Sequence, residues 1–253
     1  MGLFGSSRGR RAAGPKGHRA YVVGDIHGRL DLLDQLLAGI EADLAERPAR
    51  KATLVFVGDL IDRGPHSNQV IERLRIYRKR GLSTVFLIGN HEEVLLRILG
   101  GDSSLIANWC KFGGIECMAS YGADPRAFAA MEPEDALAEV RRRVPKVHEQ
   151  FLLSFADTAR FGDYLIVHAG IRPGVELESQ TQDDLRWIRE PFLSHGGDHG
   201  VTVVHGHTIV REVEDTGNRI AIDTGAYRSG RLTALVIDGD ERRYLTASDG
   251  VHV

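Results

Sequence analysis

The sequence predicts an α/β fold, on three observations. A strand-like run followed by a helical pattern occurs three times in succession, each strand-like run ends in a glycine and a polar residue, and β-branched runs return near the C-terminus. In the first unit a run from Ala20 ends in Gly24-Asp25 and is followed by Leu30, Leu33, Leu36, Leu37 and Ile40 at helical spacing. The second runs from Thr53 to Val57, then Gly58-Asp59, with Val70, Ile71, Leu74 and Tyr77 behind it. The third is Thr84 to Ile88, then Gly89-Asn90, with Val94, Leu95 and Ile98. Units of about 30 residues in tandem are the pattern of a parallel sheet with right-handed crossovers.

Residues 100 to 160 carry more Ala, Glu and Arg and fewer β-branched residues, so an inserted helical region is expected there, including Glu134 to Arg143 and capping the sheet or one rim of a site. Strand-like runs resume at Tyr164–Val167, Val201–Val204, Arg219–Ile222, Leu232–Ile237 and Arg243–Leu245. Short glycine-containing turns link the last three, and a meander completing a second sheet is the expectation. Residues 1 to 18 are rich in Gly, Ser and Arg without apolar periodicity and read as a disordered tail, leaving 19 to 253 as a single domain.

Composition narrows the function classes. At 253 residues, 42% hydrophobic and 26% charged, the chain is of ordinary globular type. A net charge of −3 provides no global basic field, so neither nucleic acid nor membrane is expected as a partner. No apolar run approaches the ~20 residues of a spanning helix, and the N-terminus lacks the core of a secretory signal, so a cytoplasmic location is expected. Cys110 and Cys117 are spaced neither as a disulfide scaffold nor as a thiolate zinc site and read as buried or incidental.

Five runs end in a potential metal ligand: Asp25, Asp59, Asn90, His168, and the His205-Gly206-His207 segment. In a parallel α/β sheet the carboxyl ends of strands share one edge, where ligands bind, so these residues converge. A lone Asp or Asn after a strand is usually a turn former or cap; five in register are not explained that way. Glycine precedes the polar residue in four of the five, as expected where backbone must turn sharply or approach a ligand closely. Carboxylates, an amide and imidazoles suit manganese, iron or zinc, and their number exceeds what one catalytic ion needs. Two ions sharing a carboxylate is the economical arrangement, and paired ions serve phosphoester hydrolysis.

Gly24-Asp25-Ile26-His27-Gly28, Gly58-Asp59-Leu60-Ile61-Asp62-Arg63-Gly64, Gly89-Asn90-His91-Glu92, His168-Ala169-Gly170 and Gly206-His207-Thr208, in this order, resemble the signature of the calcineurin-like metallophosphoesterases, over about Tyr21 to Ile237. The match is to their phosphoprotein phosphatase branch, especially its small bacterial and phage members. The resemblance implies an αββα sandwich of two mixed sheets flanked by helices. It implies Asp25 and His27 on a first divalent metal, Asp59 bridging, and Asn90, His168 and His207 completing a second site, with manganese first and iron or zinc as alternatives. It further implies direct in-line attack by a metal-bridging hydroxide, Arg63 and Arg189 as phosphate clamps, and His91 as the general acid oriented by Asp62. Arg186, three residues from Arg189, competes with it for the clamp role. His205 is expected beside the ligands without joining them, and Tyr227 either lines the site or packs in the core. His18, His66, His148, His195, His199 and His252 are expected at the surface.

Ile209 stands where phosphodiesterase and nuclease relatives carry a second His. Asp62 before Arg63, and Thr208 after His207, separate the chain from the pattern common in symmetrical diadenosine tetraphosphate hydrolases. The resemblance therefore implies a serine/threonine protein phosphatase acting on a phosphorylated protein or peptide, with the dinucleotide hydrolase as the alternative enzyme. A metal-binding protein without catalysis is disfavoured by the intact Asp62, Arg63 and His91.

Overall fold

The structure, a computed structural model, describes residues 12–250. Two five-stranded sheets stack face to face. In the first, β1 (His18–Val23), β2 (Lys51–Phe56) and β3 (Leu82–Phe86) run parallel, linked through α1 (Leu30–Glu46) and α2 (Ser67–Ile76); α3 (Asn90–Gly100) follows β3. The second contains β4 (Thr158–Phe161), β5 (Tyr164–Val167), β6 (Thr202–His205), β7 (Glu214–Asp215) and β8 (Arg219–Ala221) in the order β4-β5-β6-β8-β7, with β5, β6 and β8 parallel.

The final strands depart from the expected meander. The hairpin β9 (Arg231–Asp238) and β10 (Glu241–Ser248) joins the first sheet, giving the order β10-β9-β1-β2-β3, while β8 stays in the second. The cause is the composition of β9, which is buried from Leu232 to Ile237 on both faces, as an interior strand must be. Leu232, Ala234 and Val236 face the helices, and Leu235 and Ile237 face the other sheet. β3 also ends two residues before the expected Ile88, because the Ile88 N–H leaves the ladder and donates to Ala156 O at 2.9 Å.

Three apolar layers result. Tyr21, Val23, Leu54 and Phe56 pack against α1, α2 and α3; Val22, Val55, Ile166 and Val204 fill the space between the sheets; and Val167 and Val203 pack outward against Leu185, Ile188 and Phe192. The alternation of side chains along each strand places consecutive residues in different layers.

The helical region at 100–160 forms α4 (Ile106–Trp109), a wide turn at Cys110–Gly114, α5 (Ile115–Ser120), α6 (Pro125–Ala129), α7 (Pro133–Arg143) and α8 (Lys146–Leu152), followed by β4. Trp109, Met118, Phe128, Leu137 and Val140 extend the helix-side core rather than forming a separate one. His148, expected at the surface, is buried, with Nδ1 accepting from the Tyr121 hydroxyl at 2.9 Å and Nε2 3.1 Å from Glu72. Of the expected N-terminal tail, residues 1–11 lie outside the described residues, as does His252. Residues 12–17 are pinned: Ala13 N donates to Asp163, Tyr164 Oη to Ala12 O, and Gly14 N to Gly239 O. Among the described residues no helix is long and apolar enough to cross a membrane.

Candidate metal centre

The segments following β1, β2 and β3 of one sheet and β5 and β6 of the other meet at one end of the sandwich. Asp25, His27, Asp59, Asn90, His168 and His207 are all buried there. Asn90 Oδ1 lies 3.0 Å from His168 Nε2 and 2.8 Å from His207 Nδ1, and the His207 N–H donates to Asp25 Oδ2 at 3.0 Å. Asp59 faces His27 through one carboxylate oxygen at 3.6 Å and His168 through the other at 3.4 Å. Two sets, His27/Asp59/His91 and Asp59/His168/His207, each present ligand atoms within 4.8 Å of one another, with Asp59 common to both.

Local backbone serves this convergence. A Cβ on Gly89 would overlap Asp59 Oδ1, and one on Gly206 would overlap Asp25 Oδ1, so side-chain-free positions let the carboxylates in. His27, Asp59, Asp62, Arg63 and His207 are, among the described residues, the non-glycine residues with positive φ, between 45° and 70°. Each such conformation costs about 1–3 kcal/mol and is kept only where its surroundings hold it.

The donor set fits divalent cations. Asp25 Oδ1, Asp223 Oδ2 and His207 Nε2 are buried with no hydrogen-bond partner, which is costly for groups of this polarity. Burial, then the neighbouring Asp223 and Asp59 carboxylates, push Asp25 well above the usual carboxylate range; burial also lifts Asp223 to about 6. Burial lowers His207 to about 3 and holds His27 well below its ordinary value, so both rings are neutral and able to ligate. His27 Nδ1–H donates to Ile61 O at 2.8 Å and His168 Nδ1–H to Val57 O at 2.9 Å, which turns each Nε2 inward.

His91 is set up differently. Its Nδ1–H donates to Asp62 Oδ2 at 2.6 Å. Burial opposes its charge, but Asp59 and Asp62 outweigh burial and raise it to about 9, so it carries a proton at neutral pH. Arg63 lies between the two rings, Nη1 3.0 Å from His27 Nε2 and Nη2 3.2 Å from His91 Nε2. Tyr227 lines the site: its ring lies 4.8 Å from the Arg63 guanidinium carbon and edge-on to His27 at 5.3 Å. Arg189 is exposed and lines the same cavity of about 260 Å³ as Arg63, Asn90, His91 and His207. Arg186 is committed elsewhere, buried against Asp157 and Glu93.

Four residues of the site went unassigned in the sequence. Trp109, in α4 of the insertion, donates its indole N–H to Asp62 Oδ2 at 2.8 Å. Glu92 accepts the N–H groups of Asp59, Leu60 and Gly89 at 2.8, 2.8 and 3.0 Å and so holds the Asp59 turn. Gly113, with φ 108°, packs where a Cβ would overlap the Arg63 backbone. Asp223 follows β8 in an Asp-Thr-Gly turn, and its place just past a strand end is the one local signal that marks it. His205, expected beside the ligands, instead packs edge-on against Phe192 at 5.0 Å in the outward layer.

The sequence profile of the calcineurin-like phosphoesterases matches residues 18–234. The chain belongs to this family. This phosphoesterase is 30% identical to an asymmetrical bis(5'-nucleosyl)-tetraphosphatase of Bacillus cereus, over 85% of this chain and 88% of the relative. The fold of the phosphoesterase is shared with a candidate diadenosine tetraphosphatase, at TM-score 0.65 and 23% identity over 92% of this chain and 95% of the other. It is shared also with a cold-active protein tyrosine phosphatase, at TM-score 0.57 and 20% identity over 90% and 78%. The phosphoesterase is thus a hydrolase of phosphoesters within a family that uses divalent metals.

Proposed function

We propose that the protein is a dinuclear metal-dependent hydrolase of dinucleoside polyphosphates. The carrying observation is the cavity beside His91 and His207, into which three guanidinium-bearing residues, Arg63, Arg97 and Arg189, are brought. A terminal phosphomonoester needs one bidentate clamp; three guanidinium groups on one cavity suit a chain of phosphates. The likeness to relatives named bis(5'-nucleosyl)-tetraphosphatases supports the same reading, and their asymmetrical cut is adopted here. Asp25, His27 and Asp59, with Asn90, His168 and His207, would hold the ions. Such ions supply Lewis acidity and a water acidic enough to serve as nucleophile near neutral pH. Arg63 and Arg189 orient the scissile phosphate, and His91 hands its proton to the departing oxygen.

A second reading, a serine/threonine protein phosphatase, is favoured by one feature. An alkoxide leaving group demands the proton that His91 and Asp62 are arranged to give, whereas a phosphate leaves as a stabilised anion. Asp62 thus speaks to proton donation rather than to substrate size, so its presence before Arg63 does not exclude a dinucleotide.

A side-by-side assay of manganese-loaded protein on diadenosine tetraphosphate and on a phosphoserine peptide, with a chelated control, decides. Faster turnover of the dinucleotide to ATP and AMP supports the first reading, and two ADP would correct the cut. Faster turnover of the peptide installs the second, and turnover unaffected by chelation overturns both.

A further inference from the structure

Two large aromatic side chains stand exposed where the cavity beside His91 opens, Trp187 at 40% and Phe112 at 54%. Neither is loosely attached. The Trp187 indole N–H donates to Glu93 Oε2 at 3.1 Å, and the adjacent Arg186 is tied to Glu93 and Asp157. Phe112 belongs to the turn Cys110–Gly114, whose Gly113 is seated on the Arg63 backbone, with Arg63 N donating to Gly113 O at 3.4 Å. Large apolar side chains exposed on one cavity, on backbone that is itself anchored, mark a ligand surface.

The rest of the lining states what kind of ligand. Leu105 adds apolar wall, Asn108 an amide, and Arg189 and Arg97, the latter ion-paired to Asp102 at 2.9 Å, add two cations to the same cavity. Flat apolar faces next to guanidinium groups are the means by which proteins hold a base and the phosphates attached to it. We propose that Trp187 and Phe112 form a stacking platform for one nucleobase of the substrate, its phosphates running past Arg97 and Arg189 toward His91. The proposal rests on the dinucleotide reading and names where one nucleoside of that substrate lies. A volume of about 260 Å³ is at the small end for ligand cavities, enough for one base and its nearest phosphates, so the second nucleoside lies outside it. Stacking does not read base edges, so adenine and guanine are both accepted.

The test titrates AMP and inorganic phosphate calorimetrically into the metal-loaded full-length chain and into Trp187→Leu and Phe112→Leu. AMP is expected to bind at least about tenfold more tightly than phosphate, the size of a base-stacking contribution, and this gap is expected to narrow at least about threefold in each variant. Equal affinities in the unmodified protein, or a gap that both variants keep, overturn the platform. Thermal midpoints check folding, and the Phe112 variant carries the test where the Trp187 variant does not fold. Hydrolysis of diadenosine tetraphosphate is scored separately: an AMP preference without hydrolysis leaves the platform standing and removes the dinucleotide reading, and hydrolysis without the preference does the reverse.

Discussion

Trp109 and His91 share one acceptor, Asp62 Oδ2, so a residue of the helical insertion and the proposed proton donor bear on the same oxygen. The indole fixes the carboxylate, and the carboxylate fixes the imidazole and favours its charged form. Trp109 is itself held, buried beneath Gly114, where a Cβ would overlap the indole, and edge-on to Phe128.

Replacing Trp109 with Phe keeps an aromatic ring and removes the N–H. Turnover of a phosphoserine peptide is expected to fall about tenfold, in line with one hydrogen bond to a charged group. Turnover of p-nitrophenyl phosphate, whose leaving group needs no proton, should fall much less. Equal losses on both substrates would mean that the variant perturbs the fold and not proton donation.

Asp59→Asn tests the shared carboxylate. Asn tolerates the left-handed backbone at φ 49°, so the turn held by Glu92 survives while one charge is lost. Metal content and activity are expected to drop together, by at least about a hundredfold in activity. Elemental analysis showing two ions per chain in this variant would remove Asp59 from the bridging position.

Arg189 and Arg186 separate by their surroundings. No hydrogen bond or ion pair among the described residues engages the Arg189 guanidinium, so Arg189→Ala should raise KM for the polyphosphate substrate about tenfold without lowering the melting temperature. Arg186→Ala removes the cation shared by Glu93 and Asp157, leaving them the Trp187 indole and the Gln182 amide, and should cost about 1 kcal/mol of stability, read by denaturant unfolding. The opposite assignment of effects would exchange their roles.

His148 predicts a pH dependence away from the metal centre. Burial, against the pull of Glu72, holds it below the ordinary histidine value of about 6.5, so the unfolded chain takes up the proton first. Its contribution to stability is complete above that value and drains away as pH falls through it toward the folded value. The difference in unfolding midpoint between the native protein and His148→Gln, measured from pH 7.5 to 5 (a range of about one histidine titration), should shrink as the medium is acidified. A constant difference would show that His148 does not change its proton on unfolding.

Most of the ligand set was legible because each member follows a short apolar run, in four of five cases through a glycine, a pattern that survives without knowledge of what packs on it. Asp25, Asp59, Asn90, His168 and His207 all have that local mark. Trp109 and Phe112 do not: their roles come from a turn at Cys110–Gly114 that docks across the chain onto Arg63, and no periodicity encodes a docking. The same holds for β9, whose place beside β1 is decided by burial on both faces and not by its nearness to β8 in sequence. His148 was misplaced because a lone histidine in a charged segment looks solvated until Tyr121 covers it.

The ligand groups are divided between the two sheets: Asp25, His27, Asp59 and Asn90 follow strands of one, His168 and His207 strands of the other. Cations seated among them would rivet the open end of the sandwich, coupling ion occupancy to the separation of the layers. Under that coupling, the ion concentration of the surroundings sets how far the seam breathes, since whatever binds only the closed arrangement is counted as folding stability. Amide exchange along β2 and β6 would then slow as ions are added, turning a catalytic accessory into a structural gauge.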